Sequence, residues 1–445
     1  MTPHQSLRPF AQTPLPVREA AAVEPPILGM VAPATPATLR IAVSDAIKLP
    51  PWPVFESDEI DAVEDVLRSG RVNYWTGSVC KQFESLWCAT HVGVHSLSMA
   101  NGSVTLESAL RALGIGPGDE VIVSPRSYVA SAMCVLLAGA TPVFADVDPV
   151  SGCITPESAE AVRSARTKAI IPVHIGGWPC DMHGFQAWAK PQGIHIIEDC
   201  AQAHGAHIDG RPVGTFGTFA SWSFCQDKIM TTGGEGGMLC TTDHDLYTRC
   251  WSFGQHGKDA YDALTPYTPE IPGGFRWMIK HEGTNLRMTE MQAAIGIRQL
   301  RKLPAWSAAR RRNSLIMQDA LRSVGGLRVP ETPDGHAHYR CVAFVEGNGT
   351  EAAELRNDML RALHEDAVPA MHGSCGEIYR EAVFTARNLT PAAIGRGTLD
   401  SEGRFPNARR LHETCLTFLV HHTIDESSMR AYAASVARCL RAARG

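Results

Sequence analysis

Lys228 is the side chain best placed for covalent chemistry. It stands in Ser221–Gly237, SWSFCQDKIMTTGGEGG, between an apolar, strand-like run (Phe219, Trp222, Phe224) and a glycine cluster (Gly233, Gly234, Gly236, Gly237). Glycines, lacking a Cβ, let backbone or a ligand approach closely. A lysine amine attacks a carbonyl to form a Schiff base only when deprotonated, and burial or nearby positive charge favours that form. The same placement suits a surface lysine in the turn after a strand, so the flanking chain has to decide.

Three further places could do chemistry with it. Asp199 ends the apolar run IHIIEDCA, and in open α/β sheets ligands gather beyond the carboxyl ends of the strands. A carboxylate there needs a cation, either a metal or the protonated ring nitrogen of pyridoxal phosphate, unless it only caps the following turn. For the metal, His204 and His207 are the local candidate ligands. Asn101, Gly102 and Ser103 open a helix-like segment whose apolar face is Leu106, Ala109, Leu110 and Leu113. Such a helix start is a phosphate cradle or simply a cap. Tyr128 is an aromatic that could stack on a ligand or pack in the core. The GGEGG cluster is not a P-loop, because it lacks the GK[ST] ending and follows its lysine.

The elements that must position these residues alternate. Helix-like Ser103–Leu113 precedes EVIVSP (120–125), Ala130–Leu137 precedes TPVFADV (141–147), Pro156–Arg166 precedes KAIIPVHIGG (168–177), and Met182–Lys190 precedes IHIIEDCA (194–201). Near-continuous apolar runs divided by helices predict an α/β domain with a mainly parallel sheet covered on both faces. Before it, Ser57–Leu67 reads as an amphipathic helix stopped by Ser69 and Gly70, and residues 1–48, rich in Pro and Ala, read as a disordered or draped extension. After it, Gly257–Gly283 reads as a long functional loop, and a helix from Thr289 is expected to hinge or kink at Pro304 and to continue from Ala305 to Leu321. The expected domains are thus 49–304, and a smaller α+β domain over 305–445 holding HYRCVAFVE, EAAELRNDMLRALHEDA and a final helix.

Composition excludes several classes. The 445 residues are 44% hydrophobic and 20% charged, with a formal net charge of −5 and no basic, aromatic-interleaved stripe for nucleic acid. Thirteen cysteines without a CxxC pair read as reduced thiols. With no membrane-length apolar run and no signal-peptide pattern, the expected compartment is cytoplasmic.

In this order, phosphate cradle, aromatic, strand-end Asp and Lys before glycines, the sequence resembles the DegT/DnrJ/EryC1/StrS family of pyridoxal-phosphate sugar aminotransferases. The matching segments are NGSVTLESALRALGIGPGDEVIVSP, GATPVFADVDP, TKAIIPVHIGG, IIEDCAQAHGA, SFCQDKIMTTGGEGGM and GTNLRMTEMQAAIG. The resemblance implies a fold-type I, aspartate aminotransferase-like architecture with pyridoxal 5′-phosphate as cofactor. It implies that Lys228 holds the cofactor covalently and moves the substrate proton, and that Asp199 keeps the pyridine nitrogen protonated. Gln202 would bond the phenolic oxygen, and Tyr128 would stack on the ring. Gly102, Ser103, Val104 and Ser223 would bind the phosphate, joined by Asn285 from the partner subunit of a homodimer. His174 in PVHIGG and Arg409 after the FP motif fall at substrate positions. Gly176, where the family often has an aromatic, and Arg409, where it usually has an acid, are departures that bear on the acceptor. The implied reaction moves an amino group from glutamate or glutamine to a keto sugar, nucleotide-linked, or a keto-cyclitol, in amino sugar biosynthesis. The alternatives are a sugar dehydratase, whose members replace the lysine with histidine, and a non-catalytic regulator on the same scaffold.

Overall fold

Apolar runs of four or five residues become central strands when helices cover both faces of the sheet they join. In the computed structural model, which describes residues 47–91, 94–269, 271, 274–373, 375–385 and 405–444, seven strands do so. They are β1 (His95–Met99), β2 (Glu120–Val123), β3 (Thr141–Phe144), β4 (Thr167–Ile171), β5 (His195–Asp199), β6 (Phe219–Ser223) and β7 (Gly237–Thr241). Their spatial order is β1-β7-β6-β5-β4-β2-β3, with β7 antiparallel to both neighbours and the other pairs parallel. The helices Gly102–Ala112, Ala130–Leu137, Pro156–Val162 and Met182–Ala189 make the crossovers between β1 and β5. Most of the expectation for residues 1–48 falls on residues 1–46, which lie outside the described ones.

Two hydrophobic clusters pack on the sheet, and in β6 and β7 the side-chain period of two sorts residues between them. Phe219 and Leu239 join one cluster with Val121, Ile122, Ile170 and Ile197. Ala220, Trp222, Met238 and Cys240 join the other with Phe83 and Trp87. The sequence reading contained neither β1 nor β7. Alternating serines dilute HSLSM, and GMLCT follows directly on the glycine cluster.

The C-terminal part has its own antiparallel sheet of β8 (Leu327–Arg328), β9 (Cys341–Val345) and β10 (Cys415–Phe418), in the order β8-β9-β10. The helices Gly349–Glu365 and Glu426–Arg444 pack there, with Leu363, Phe418 and Tyr432 in a third cluster. One helix, Glu290–Arg322, reaches both parts: Ile297, Leu300 and Leu303 pack on the large sheet's side, Met317 and Leu321 on the small one. It continues through Pro304, as the helical signal on both sides of the proline predicts. A helix-interior proline costs about 3 kcal/mol, but this helix packs along its length against Ser57–Ser69, Val79–Thr90 and Glu426–Arg444. Lys302 adds a tie to the first of these, its Nζ lying 2.6 Å from Asp58 Oδ1 and 2.8 Å from Glu56 Oε2. All thirteen cysteines are unpaired thiols, and among the described residues no helix is long and apolar enough to cross a membrane.

The end of β5 carries two consecutive buried acids. Glu198, fully buried, accepts the N–H groups of Phe216 (2.7 Å) and Gly217 (2.6 Å) on Oε1 and of Gly214 (2.7 Å) on Oε2. His174 Nδ1 accepts the Cys180 N–H at 2.9 Å, so its Nε2 carries the proton and points to Glu198 Oε2 at 3.3 Å. Replacing Glu198 by Ala strands three buried N–H groups and the imidazole. The expected cost is about 3–5 kcal/mol, read as a lower urea midpoint at unchanged slope; a loss under 1 kcal/mol would show that water replaces the carboxylate.

Candidate active site

The candidate residues meet where the parallel strands end. Asp199, the last residue of β5, is 5% exposed. Its Oδ2 accepts the Ser131 hydroxyl at 2.7 Å, itself 2.8 Å from the Ser127 hydroxyl, and its Oδ1 accepts the Ala201 N–H at 3.1 Å. Each oxygen keeps a lone pair for a further donor. Gln202 Oε1 accepts the Gly176 N–H at 2.7 Å, which leaves its amide nitrogen as the free donor. Gly176 takes a left-handed φ of 63°, and a Cβ built there meets nothing within 4 Å. The backbone geometry, more than crowding, therefore favours glycine.

Lys228 lies in the turn that joins β6 to β7. The turn is closed by the Phe224 N–H on Gly236 O (2.8 Å) and the Gln226 N–H on Gly234 O (3.0 Å). The Trp52 indole N–H caps the Lys228 carbonyl at 2.9 Å. Lys228 Nζ sits 3.9 Å from Asp227 Oδ1 and 5.3 Å from the Tyr339 ring centroid. Asp227 Oδ2 accepts the Tyr339 hydroxyl, with Arg340 Nη2 at 3.8 Å. Burial works to raise the Asp227 carboxyl, but Lys228, the Tyr339 hydroxyl and Arg340 together hold it below the usual carboxylate range. Burial pushes the Tyr339 hydroxyl up, so it remains a donor. Tyr339 is tied back to the Gln202 side by its N–H on Gly176 O at 3.1 Å.

The glycines supply close approach, as the sequence predicts. A Cβ on Gly237 would lie 2.5 Å from Asn101 O, and one on Gly102 would lie 2.7 Å from Ser223 Cβ. The helix start at Gly102 is thereby pressed against the end of β6. Its amides are not free, however: Asn101 Oδ1 accepts the N–H groups of both Ser103 and Val104 at 3.1 Å. The cap takes the amides that a cradle would need. Tyr128, 69% exposed, presents an uncovered ring, and the strand it follows pairs Arg126–Ser127 with Gly376–Glu377 from the C-terminal part.

Other candidates are placed apart from these. His174 faces Glu198 and bonds none of the residues above through its ring. Asn285 is exposed, its Oδ1 accepting the Arg287 N–H at 3.2 Å. Arg409 Nε lies 2.8 Å from Glu413 Oε1, one helical turn away on Pro406–Thr414. The metal alternative finds no ligand set: among the described residues, no group of three His, Cys, Asp or Glu side chains within ligand reach includes Asp199. His204 instead packs among Trp222 and Phe224, with ring centroids at 5.2 and 5.6 Å.

Ser131, Asp227, Tyr339 and Arg340 were missed from sequence. Ser127 and Ser131 do carry a helical spacing, and Asp227 adjoins the lysine. Tyr339 lies 112 residues from Asp227 and carries no local signal.

A carboxylate at a strand end, a lysine in the next hairpin and a helix start between them, on a seven-stranded sheet with one antiparallel strand, define a fold-type I aminotransferase. The DegT/DnrJ/EryC1/StrS aminotransferase family model matches residues 53–437. A relative from Streptoalloteichus tenebrarius, an L-glutamine:2-deoxy-scyllo-inosose aminotransferase, is 33% identical over 91% of this chain and 98% of its own. A UDP-N-acetyl-3-dehydro-alpha-D-glucosamine 3-aminotransferase from Acidithiobacillus ferrooxidans is 38% identical over 62% of this chain and 68% of its own. The crystal structure of an aminotransferase from Psychrobacter cryohalolentis is 42% identical, with a TM-score of 0.79 over 87% of this chain and 98% of that one. The chain belongs to the DegT/DnrJ/EryC1/StrS aminotransferase family and is an aminotransferase.

The left-handed turn at Gly176 is testable without substrate. Gly176→Ala should destabilise the protein by about 1–2 kcal/mol in urea unfolding despite the open space, because the cost is backbone conformation. A neutral result would mean that the turn relaxes.

Proposed function

We propose that this enzyme binds pyridoxal 5′-phosphate and moves an amino group from glutamate or glutamine to the keto group of a nucleotide-linked sugar or a cyclitol. The observation that carries the reading is a buried carboxylate, Asp199, at the end of β5 and Lys228 in the turn after the neighbouring strand β6, with Gln202, three residues after Asp199, linked to the lysine through Gly176 and Tyr339. When bound, the cofactor supplies an electron-withdrawing ring that stabilises negative charge on the substrate carbon.

The residues present fit such a group. Asp199, oriented by Ser131 and the Ala201 N–H, accepts from the ring nitrogen and keeps a proton there. Gln202 donates from its free amide nitrogen to the phenolic oxygen. Tyr128 covers one ring face. Ser223 and the amides of Gly102, Ser103 and Val104 take the phosphate, the last two sharing their N–H groups with Asn101 or displacing its side chain. Lys228 Nζ would hold the cofactor and, as a free amine, would accept the proton from the donor's α-carbon and give it up again. Asn285 reaches the phosphate of a second copy. Support for a homodimer is the exposure of Asn285 and of the aromatic arm before it, where Phe275 and Trp277 are 86% and 90% exposed.

Borohydride treatment of the cofactor-loaded protein should fix the cofactor mass on the peptide containing Lys228, and Lys228→Ala should lower turnover by about 10²–10⁴-fold. Asp199→Asn should keep the cofactor and turn over poorly, since an amide does not hold the ring nitrogen protonated. Label on another lysine, or near-normal turnover of Asp199→Asn, sinks the assignment.

The acceptor is read from the two relatives' names, one with 2-deoxy-scyllo-inosose and one with a UDP-linked sugar. The space above Gly176 suits a bulky acceptor; Arg409 would suit a charged one only by exchanging its partner Glu413 for it. Comparing a nucleotide-linked keto sugar with a free keto-cyclitol against the aminated cofactor form, in wild type and Arg409→Ala, separates them. Preference for the nucleotide sugar, lost in Arg409→Ala, is expected; preference for the cyclitol overturns the anionic acceptor and leaves the aminotransferase standing.

A further inference from the structure

Arg340 stands immediately before β9. Its guanidinium lies 4.7 Å from the Tyr339 ring centroid, and the side chain is 13% exposed. The nearest acidic oxygen, Asp227 Oδ2, is 3.8 Å from Nη2 and is taken by the Tyr339 hydroxyl. That separation is an ion pair and too long for a hydrogen bond. A nearly buried fork of five N–H donors is thus held in place by charge and stacking, while its donors find no acceptor among the described residues. A fork so placed is open to an anionic partner.

Its position relates it to Lys228. The two oxygens of Asp227 face the two cations, Lys228 Nζ at 3.9 Å and Arg340 Nη2 at 3.8 Å, and both cations lie over the same tyrosine ring. In transamination an amino acid's nitrogen takes the place of Lys228 Nζ, and its α-carboxylate, two bonds away, must come to rest a few ångströms from that point. We propose that Arg340 receives the α-carboxylate of the amino donor, with Asp227 and Tyr339 as the positioning residues that hold the fork open; this rests on the aminotransferase reading above. Guanidinium and carboxylate match bidentately. The other cation beside Tyr339, Arg310, has only Nη1 partnered, on the Tyr339 carbonyl, and is sealed from an entering ligand by its 1% exposure.

The test separates donor from acceptor. In wild type, Arg340→Gln and Arg340→Lys, the change of cofactor absorbance is followed with L-glutamate and L-glutamine. The reverse half-reaction is then followed with whichever keto acceptor wild type uses. Arg340→Gln should raise the donor half-saturation by about tenfold to a hundredfold, the size of hydrogen bonds to a charged group. It should leave the cofactor spectrum, the melting temperature and the acceptor half-saturation unchanged. Arg340→Lys, which keeps the charge and loses the fork, should recover part of the donor affinity. Unchanged donor saturation in Arg340→Gln, or an equal loss for donor and acceptor, overturns the assignment. If Arg340→Gln does not fold, Arg340→Lys decides: weakened donor with unchanged acceptor supports it, and unchanged donor overturns it. A wild type that takes nitrogen from no amino acid defeats the aminotransferase reading itself, and this proposal with it, before any variant is compared.

Discussion

Two consecutive carboxylates, buried at the end of one central strand, constrain everything around them. Because side chains alternate along a strand, Glu198 and Asp199 point to opposite sides of the sheet, and each needs its own donors to offset the loss of water. Glu198 gathers three backbone N–H groups from 214–217 and the imidazole of His174. Asp199 gathers a hydroxyl and one N–H, fewer donors than a buried carboxylate accepts. The saturated acid fixes loops; the undersaturated one is left able to meet a ligand.

The lysine is positioned by sterics more than by charge. Strand β7 returns antiparallel beside β6, so the turn carrying Lys228 lies at the same edge of the sheet as Asp199 and the Gly102 helix start. That return requires Gly237 against the Asn101 carbonyl and Gly102 against Ser223, contacts that a Cβ on either glycine would fill. The C-terminal part then closes over the turn through Tyr339 and Arg340, which meet Asp227. Asp227 lies between two cations and under a hydroxyl, so one surface-adjacent acid ties the smaller sheet's leading residues to the lysine.

Some of this was legible from local patterns. Apolar runs and capped helices announced the crossovers to within a few residues, with Ala130–Leu137 matching at both ends. The helix on both sides of Pro304 was legible, but the packing that offsets the proline was not, because it comes from helices distant in sequence. Nor was the fate of the Ser103 and Val104 amides: NGS announces both a cap and a cradle, and the folded chain uses Asn101 as the cap.

The sequence by itself determined the types of element, the mainly parallel sheet and the two residues, Lys228 and Asp199, around which the chemistry is read, since periodicity and the glycine cluster act within a few residues. Tertiary structure alone decided what those residues touch. It turned His174 to Glu198, bonded Ser131 to Asp199, and brought Tyr339 and Arg340 to Asp227 from more than a hundred residues away. The division has a physical cause: backbone conformation responds to neighbours along the chain, whereas the partner of a buried polar group is whichever donor or acceptor the packing of distant elements places within hydrogen-bond reach.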